Sequence, residues 1–99
     1  MYYVYMLRCE DNSLYTGITT NIEKRMEEHF SKSKKCAKYT FVHTAKKLET
    51  FWEVENKSQA SRMEYYIKTL TKQQKEEVIK DKTKLEKYLG DKLNIVWYK

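Results

Sequence analysis

Five side chains in this 99-residue chain carry groups that can act on a proton or a phosphate, and they are two phenols, a guanidinium, an imidazole and a carboxylate: Tyr5, Tyr15, Arg25, His29 and Glu64. A guanidinium presents a forked set of donors that matches a phosphate, and an imidazole exchanges protons near neutral pH. A phenol is a poor base unless a cation or a histidine lowers its pKa. This set suits phosphate chemistry if the fold brings its members together.

Each of these residues also has a structural interpretation that the sequence leaves open. The chain has nine tyrosines, so Tyr5 and Tyr15 can be packing residues. Arg25 and His29 are one helical turn apart and can be an ordinary surface pair. Glu64 adjoins an apolar helix stripe, where a carboxylate costs free energy unless it is paired or binds a cation. A salt bridge with Lys68 or Arg62 would satisfy it without a metal.

The first four of these residues lie on a predicted hairpin and the helix that follows it. Residues 2–9 and 14–19 are rich in aromatic and β-branched side chains and flank the turn-forming sequence Glu-Asp-Asn-Ser. A connection of odd length, or a bulge, would put Tyr5 and Tyr15 on one face of the sheet. Thr20 to Glu23 matches a capping box, which predicts a helix start. Its apolar stripe is Ile22, Met26 and Phe30, and Arg25 and His29 run along the edge of that stripe.

The remainder of the chain predicts one more strand and further helices. Residues 48–55 alternate, with Leu48, Thr50, Trp52 and Val54 on one face. Asn56, with Gln59 three residues later, caps a long helix with the inner stripe Ala60, Met63, Ile67 and Leu70. Thr71 to Gln74 can cap another helix, which carries Val78 and Ile79. Asp81 to Thr83 interrupts this helix. Gly90 ends a last helix that holds Leu85, Tyr88 and Leu89. Residues 93–98 are strand-like.

Charge and composition narrow the class of protein. The net charge is +6, and residues 31–47 carry six lysines and no acid. An unopposed basic segment suits a polyanion, most often a nucleic acid, although a solvated loop is the plain alternative. No apolar run approaches membrane-spanning length, and two cysteines without a CxxC motif predict a reduced, cytoplasmic protein. The length and composition predict one domain over residues 1–99.

The order and spacing of the five residues resemble the GIY-YIG nuclease domain in its small stand-alone form. Tyr3-Val4-Tyr5 stands at the position of the first signature triplet, and Tyr15-Thr16-Gly17 stands at that of the second. Arg25 follows eight residues after the glycine, His29 lies one turn further on, and Glu64 lies on the next long helix. The resemblance covers about residues 2–80, the expected core, and leaves residues 81–99 as a C-terminal extension.

This resemblance implies an α+β (α/β-class) fold with a three-stranded antiparallel sheet flanked by helices. It also implies metal-dependent hydrolysis of phosphodiester bonds in DNA, with links to repair or recombination. Glu64 would hold one Mg²⁺ or Mn²⁺, Arg25 would grip the scissile phosphate, and Tyr5 and Tyr15 would orient or deprotonate the attacking water with His29 as proton acceptor. Which tyrosine is the base is left open. The expected nucleic-acid contacts are Gly17, Lys32, Lys34, Lys35, Lys38 and Lys68.

The chain departs from the family pattern at several positions. Tyr3 replaces the first glycine, Ile18 stands where repair enzymes have a lysine after the second triplet, and no asparagine occurs between Glu64 and Asn94. Two other functions therefore stay open. One is a nucleic-acid-binding module of the same fold without catalysis, and the other is a protein-interaction adaptor that uses exposed aromatic side chains.

Overall fold

The computed structural model describes residues 1–32 and 37–93, which form a three-stranded antiparallel sheet flanked by helices. The strands are β1 (Tyr2–Cys9), β2 (Leu14–Thr19) and β3 (Ala45–Val54), in the spatial order β2-β1-β3. The helices are α1 (Ile22–Phe30), α2 (Lys38–Val42), α3 (Lys57–Lys68), α4 (Lys72–Lys80) and α5 (Thr83–Leu89). The predicted fold class is confirmed. In these ranges no helix is long and apolar enough to cross a membrane.

The central strand β1 is buried on both faces. Four successive residues, Val4 to Leu7, are completely buried. Because neighbouring side chains of a strand point to opposite faces, Val4 and Met6 enter a large apolar core with Trp52 and helix α3. Tyr5 and Leu7 enter a smaller cluster on the other face, with Met26 of α1. The sheet therefore separates an apolar core from the face that carries Tyr5.

The predicted caps of α3 and α4 are confirmed. The Asn56 side chain accepts a hydrogen bond from the Gln59 amide at 2.9 Å, and the inner stripe predicted for α3 is buried. Thr71 and Gln74 form a reciprocal capping box at the start of α4. The Asp81 carboxylate accepts from the Thr83 amide at 3.0 Å between α4 and α5, where the interruption was expected. Gly90 is the C-cap of α5.

Two predictions about α1 are wrong in detail. The helix begins one residue later than the Thr20 box implies, because the Asn21 side chain accepts from the Lys24 amide at 3.0 Å. Phe30 is 44% exposed, whereas His29 is completely buried. The last turn of α1 thus turns His29 inward, where its two ring nitrogens have hydrogen-bond partners, and leaves the phenyl ring at the surface.

Strand β3 starts three residues earlier than expected and is irregular. Met6 pairs with Thr50 but Leu7 pairs with Leu48, so Glu49 is an extra residue in the strand. An extra residue reverses the alternation of side chains beyond it. Leu48 consequently packs in the smaller cluster with Tyr5 and Leu7, not on the face of Trp52 and Val54 as predicted.

The basic segment, residues 31–47, is not a loop throughout. Helix α2 occupies five residues of it, and β3 begins at Ala45. Five residues are too few to show a helical period, and α2 has no side-chain cap. Sequence periodicity could not predict the contacts of α2 with the hairpin, which are described below. The strand expected at 93–98 lies outside the described residues from position 94 onward.

Candidate active site

The hairpin places the two tyrosines on one face of the sheet. Tyr5 pairs with Gly17 and Leu7 pairs with Tyr15, so Tyr5 and Tyr15 share a face and their ring centroids are 6.3 Å apart. The Cys9 amide donates to the Ser13 carbonyl at 2.9 Å, which leaves three residues between these partners. Asn12 has φ of 70° in this connection, a conformation that asparagine tolerates well. The predicted odd connection is confirmed.

Gly17 makes room for the phenol of Tyr5. A Cβ atom at position 17 would lie 2.6 Å from the Tyr5 hydroxyl oxygen and 3.0 Å from the ring of Tyr15. Any larger residue would push Tyr5 out of its place. The space beside Gly17 is thus occupied by Tyr5, and the expected contact of Gly17 with nucleic acid stays a prediction.

His29 lies beside Tyr5 and is hydrogen-bonded at both ring nitrogens. Its Nε2 is 2.7 Å from the Tyr5 hydroxyl, and its Nδ1 is 2.6 Å from the Thr40 hydroxyl. Burial, and secondarily the charge of Arg25, lowers the pKa of His29 to about 4. Burial raises the pKa of Tyr5 to about 12, against the opposing effect of Arg25. Both side chains are therefore neutral at physiological pH.

Arg25 reaches the same phenol from α1. Its Nε donates to the Tyr5 hydroxyl at 3.4 Å, and its Nη1 forms a salt bridge with Glu28 at 2.9 Å. Burial opposes the charge of Arg25, but hydrogen bonds with Glu28 and Tyr5 leave its pKa raised. A charged guanidinium thus lies directly beside the Tyr5 hydroxyl.

Tyr15 is held by aromatic contacts. Its ring stacks on Tyr39 of α2, with centroids 5.4 Å apart and planes 28° apart, and lies 5.6 Å from the ring of His29. The Lys68 ammonium is 5.9 Å from the Tyr15 ring centroid. Burial raises the pKa of Tyr15. Helices α1, α2 and α3 therefore all contribute a side chain around this ring.

Glu64 comes to the site from α3. It follows the buried Met63, its side chain is 24% exposed, and its carboxylate is 3.5 Å from the Lys68 ammonium. Its charge is among the smaller causes that raise the pKa of Tyr5 and of Tyr15. The salt bridge with Lys68 that sequence offered as the structural alternative is present. The same Lys68 ammonium lies 5.9 Å from the Tyr15 ring centroid, so the salt bridge lies on the Tyr15 side of the site.

Glu64 is the carboxylate of this site that could hold a divalent cation. Within residues 1–32 and 37–93 no three His, Cys, Asp or Glu side chains are grouped as a metal cage. Mg²⁺ keeps several waters and commonly binds through one or two carboxylates together with substrate phosphates. A single glutamate at the site is therefore compatible with Mg²⁺ or Mn²⁺ bound jointly by the protein and the substrate.

The lysines expected to contact nucleic acid are partly described. Lys32, Lys38 and Lys68 are exposed, and Lys68 adjoins Tyr15. Lys34 and Lys35 lie outside the described residues. Thr40 and Tyr39 are the site residues that sequence reasoning missed. The local signal for them is weak, because they are a threonine and a tyrosine in a basic segment without a hydrophobic period.

Three features together define a class of protein. They are the order of the strands, the position of Tyr5 and Tyr15 on one face, and the helix that carries Arg25 and His29. The family model for the GIY-YIG catalytic domain matches residues 1–77, and this chain belongs to that nuclease family.

Relatives and a solved structure agree with this assignment. A UPF0213 protein of Clostridium perfringens is 45% identical over 96 residues, covering 96% of this chain and all of the relative. A UPF0213 protein of Fusobacterium nucleatum is 42% identical and covers 95% of this chain and 89% of the relative. The solution NMR structure of a UPF0213 protein from Bacillus halodurans has a TM-score of 0.51 and 38% identity, over 81% of this chain and 84% of that one.

Proposed function

We propose that this protein is a metal-dependent endonuclease that hydrolyses phosphodiester bonds in DNA. Membership of a nuclease family supports a nucleic-acid substrate. The observation that carries the proposal is the hydrogen bond between the Tyr5 hydroxyl and His29, made beside the Arg25 guanidinium. A phenol, an imidazole and a guanidinium are thereby in contact with one another, and a phosphate bound by Arg25 would lie beside the Tyr5 hydroxyl.

Tyr5 and His29 supply the path for the proton of the attacking water. Tyr5 takes the proton from water while its own hydroxyl proton passes to His29, so no charged phenolate has to accumulate. The low pKa of His29 partly reflects the charge of Arg25. A phosphate beside Arg25 offsets that charge, which raises the pKa of His29 when substrate is bound. The base is therefore strengthened by the substrate on which it acts.

Arg25 binds the scissile phosphate. Its fork suits two oxygens of a phosphate, and its Nε already lies 3.4 Å from the Tyr5 hydroxyl. The phosphate would join Glu28 and Tyr5 as a partner of this guanidinium. As negative charge develops in the transition state, a fixed cation at this distance stabilises it more than it stabilises the ground state.

Glu64 would hold the divalent metal, which when bound supplies charge neutralisation at the phosphate and lowers the pKa of water. The salt bridge to Lys68 competes with that role in the absence of substrate. Once Lys68 turns to a phosphate oxygen, the Glu64 carboxylate can bind a cation. Lys68 thus contributes to substrate binding.

The salt bridge between Glu64 and Lys68 also favours a second candidate function. If the carboxylate stays paired with Lys68, the protein keeps the fold and the basic surface but binds nucleic acid without cleaving it. This alternative and the nuclease proposal make opposite predictions for the charge of Glu64.

The deciding experiment is a cleavage assay on branched, nicked, single-stranded and duplex DNA with Mg²⁺ or Mn²⁺. Cleavage by the wild type supports the proposal, and preference for the branched or nicked substrates would indicate a role in repair or recombination. Glu64→Gln should abolish both cleavage and the metal-dependent NMR shifts around position 64. Glu86→Gln, which alters an exposed carboxylate on α5, is the matched control and should cleave normally.

Stability separates a metal ligand from a structural ion pair. Glu64→Gln without metal should unfold at the same or a higher temperature, because a partly buried carboxylate is kept at a cost in desolvation. Loss of stability in metal-free buffer, together with retained cleavage, would remove Glu64 from the active site. Binding of DNA without cleavage in the presence of either metal would instead favour the binding module.

A further inference from the structure

Thr40 contacts Nδ1 of His29, while the other ring nitrogen, Nε2, contacts Tyr5. Its side chain is completely buried, and its hydroxyl oxygen is 2.6 Å from Nδ1 of His29. The same hydroxyl donates to the Ala37 carbonyl at 3.1 Å. A hydroxyl has one proton to donate. A carbonyl oxygen can only accept, so the hydrogen bond to Ala37 uses the Thr40 proton, and with the proton so directed Thr40 accepts from His29.

The direction of the hydrogen bond at Thr40 determines which nitrogen of the His29 ring donates and which accepts. Nδ1 of His29 must carry a proton in order to donate to Thr40. In a neutral imidazole the other nitrogen, Nε2, then has a lone pair and accepts. Nε2 is 2.7 Å from the Tyr5 hydroxyl, so the phenol is the donor in that contact.

We infer that Thr40 is a positioning residue that holds His29 as the Nδ1–H tautomer, so that Nε2 can take the proton of Tyr5. The inference rests on the proposed nuclease function. It assigns Tyr5, not Tyr15, as the phenol that passes the proton of water to His29. Tyr15 contacts His29 through its ring, with centroids 5.6 Å apart, and serves to shape and orient the site.

Helix α2 positions the Thr40 hydroxyl against His29. Thr40 bonds to the carbonyl three residues before it, across the first turn of α2, and the neighbouring Tyr39 stacks on Tyr15. Thr40 therefore supports Tyr5 through His29, and the adjacent Tyr39 supports Tyr15 directly. A small shift of α2 would alter both phenols together.

The first test measures the tautomer in the free protein, so it does not depend on activity. Nitrogen-15 NMR of the His29 ring should show Nδ1 protonated and Nε2 unprotonated in the wild type at pH 7. Thr40→Val has the same shape without the hydroxyl and should shift the ring towards the Nε2–H tautomer. Thr40→Ser should restore the wild-type spectrum. A wild-type ring protonated at Nε2 would overturn the inference, and so would an unchanged tautomer in Thr40→Val.

The second test measures cleavage. Thr40→Val should lower kcat by about 10- to 100-fold with little change in KM, since general-base catalysis contributes about 10²- to 10⁴-fold and only part of it is removed. Thr40→Ser should recover most of the rate. Thr69→Val is the matched control, because the Thr69 hydroxyl also bonds a carbonyl three residues back, that of Tyr66. An equal loss in the Thr69 variant would assign Thr40 a merely structural role.

The two readouts also separate this inference from the function on which it rests. If the wild type does not cleave DNA but the tautomer responds to Thr40→Val and is rescued by serine, the nuclease proposal fails and the control of His29 by Thr40 stands. If the wild type cleaves and the tautomer is indifferent to Thr40, the reverse holds. Should Thr40→Val fail to fold, the wild-type and Thr40→Ser spectra still decide the tautomer.

Discussion

The two faces of the sheet are built on opposite principles. The face towards α3 is an apolar core in which Val4, Met6 and Trp52 pack against Met63 and Ile67. The face towards α1 buries Tyr5 and the polar side chains of His29 and Thr40, each hydrogen-bonded to the next. Two consecutive residues of one strand, Val4 and Tyr5, thus lie in two different environments.

Substitutions on the two faces should have different consequences. Apolar packing is stabilising in proportion to the area it removes from water and does not depend on direction. A buried polar chain is stabilising only while every donor finds its acceptor, and one missing partner leaves a desolvated group behind. We therefore expect substitutions on the α3 face to act on stability, and those on the α1 face to act on chemistry as well.

The largest effect is expected from Trp52→Ala in the apolar core. Trp52 is 1% exposed, and its removal should lower the free energy of unfolding by about 3–5 kcal/mol. Urea unfolding measures this decrease. Phe51→Ala changes the neighbouring residue, which is 38% exposed, and should cost much less. Equal decreases in the two variants would contradict the asymmetry of the faces.

Gly17→Ala is expected to disturb the polar face. The new Cβ would lie 2.6 Å from the Tyr5 hydroxyl, so the phenol must move and its hydrogen bond to His29 breaks. Overpacking of this kind typically costs about 1–3 kcal/mol of unfolding free energy. Cleavage should fall even under conditions where the variant stays folded.

A double variant isolates the cause. Tyr5→Phe removes the atom that the new Cβ approaches most closely, so adding Gly17→Ala to Tyr5→Phe should cost less stability than adding it to the wild type. Effects that simply add would show that the strain at position 17 does not involve the Tyr5 hydroxyl.

Stability should depend on pH through His29. Its pKa is about 4 in the folded chain and about 6.5 when unfolded, so between these values the unfolded chain binds a proton that the folded chain does not. The free energy of unfolding should thus fall as pH falls, by about 1.5 kcal/mol from pH 6.5 to pH 5 for this one group. His29→Gln should lack this component. The measurement compares urea unfolding of both proteins at the two pH values, and identical pH slopes would exclude His29 as the origin.

The smallest effect on stability is expected at the exposed lysines beside the site. Lys32→Gln with Lys38→Gln should leave the free energy of unfolding within about 0.5 kcal/mol of the wild-type value. The same pair should weaken DNA binding and flatten its salt dependence by about 0.9 in the logarithmic slope for each phosphate that is no longer neutralised. Lys57→Gln with Lys87→Gln removes the same charge from exposed positions elsewhere on α3 and α5. An unchanged slope in the first pair would place the binding surface elsewhere.

Local sequence patterns correctly predicted the strands of the hairpin, the helix caps at Asn56 and Thr71, and the buried stripe of α3. These features rest on interactions within a few residues of the chain, such as a side chain that accepts from an amide three positions later. Tyr5 and Tyr15 share a face because the short connection between β1 and β2 has an odd number of residues, which could be expected from the sequence. The family spacing also pointed to the candidate residues, although not to how they are arranged.

Only the tertiary structure decided which residues surround the Tyr5 hydroxyl. His29 is buried in place of Phe30 because Tyr5 and Thr40 supply hydrogen-bond partners that no helical period records. Leu48 changes faces because a bulge at Glu49 adds one residue to β3. Thr40 was missed because a helix of five residues is too short to show a period, and its link to His29 spans eleven residues. Local sequence patterns encode contacts along one element, whereas partners on different elements are set by register and packing.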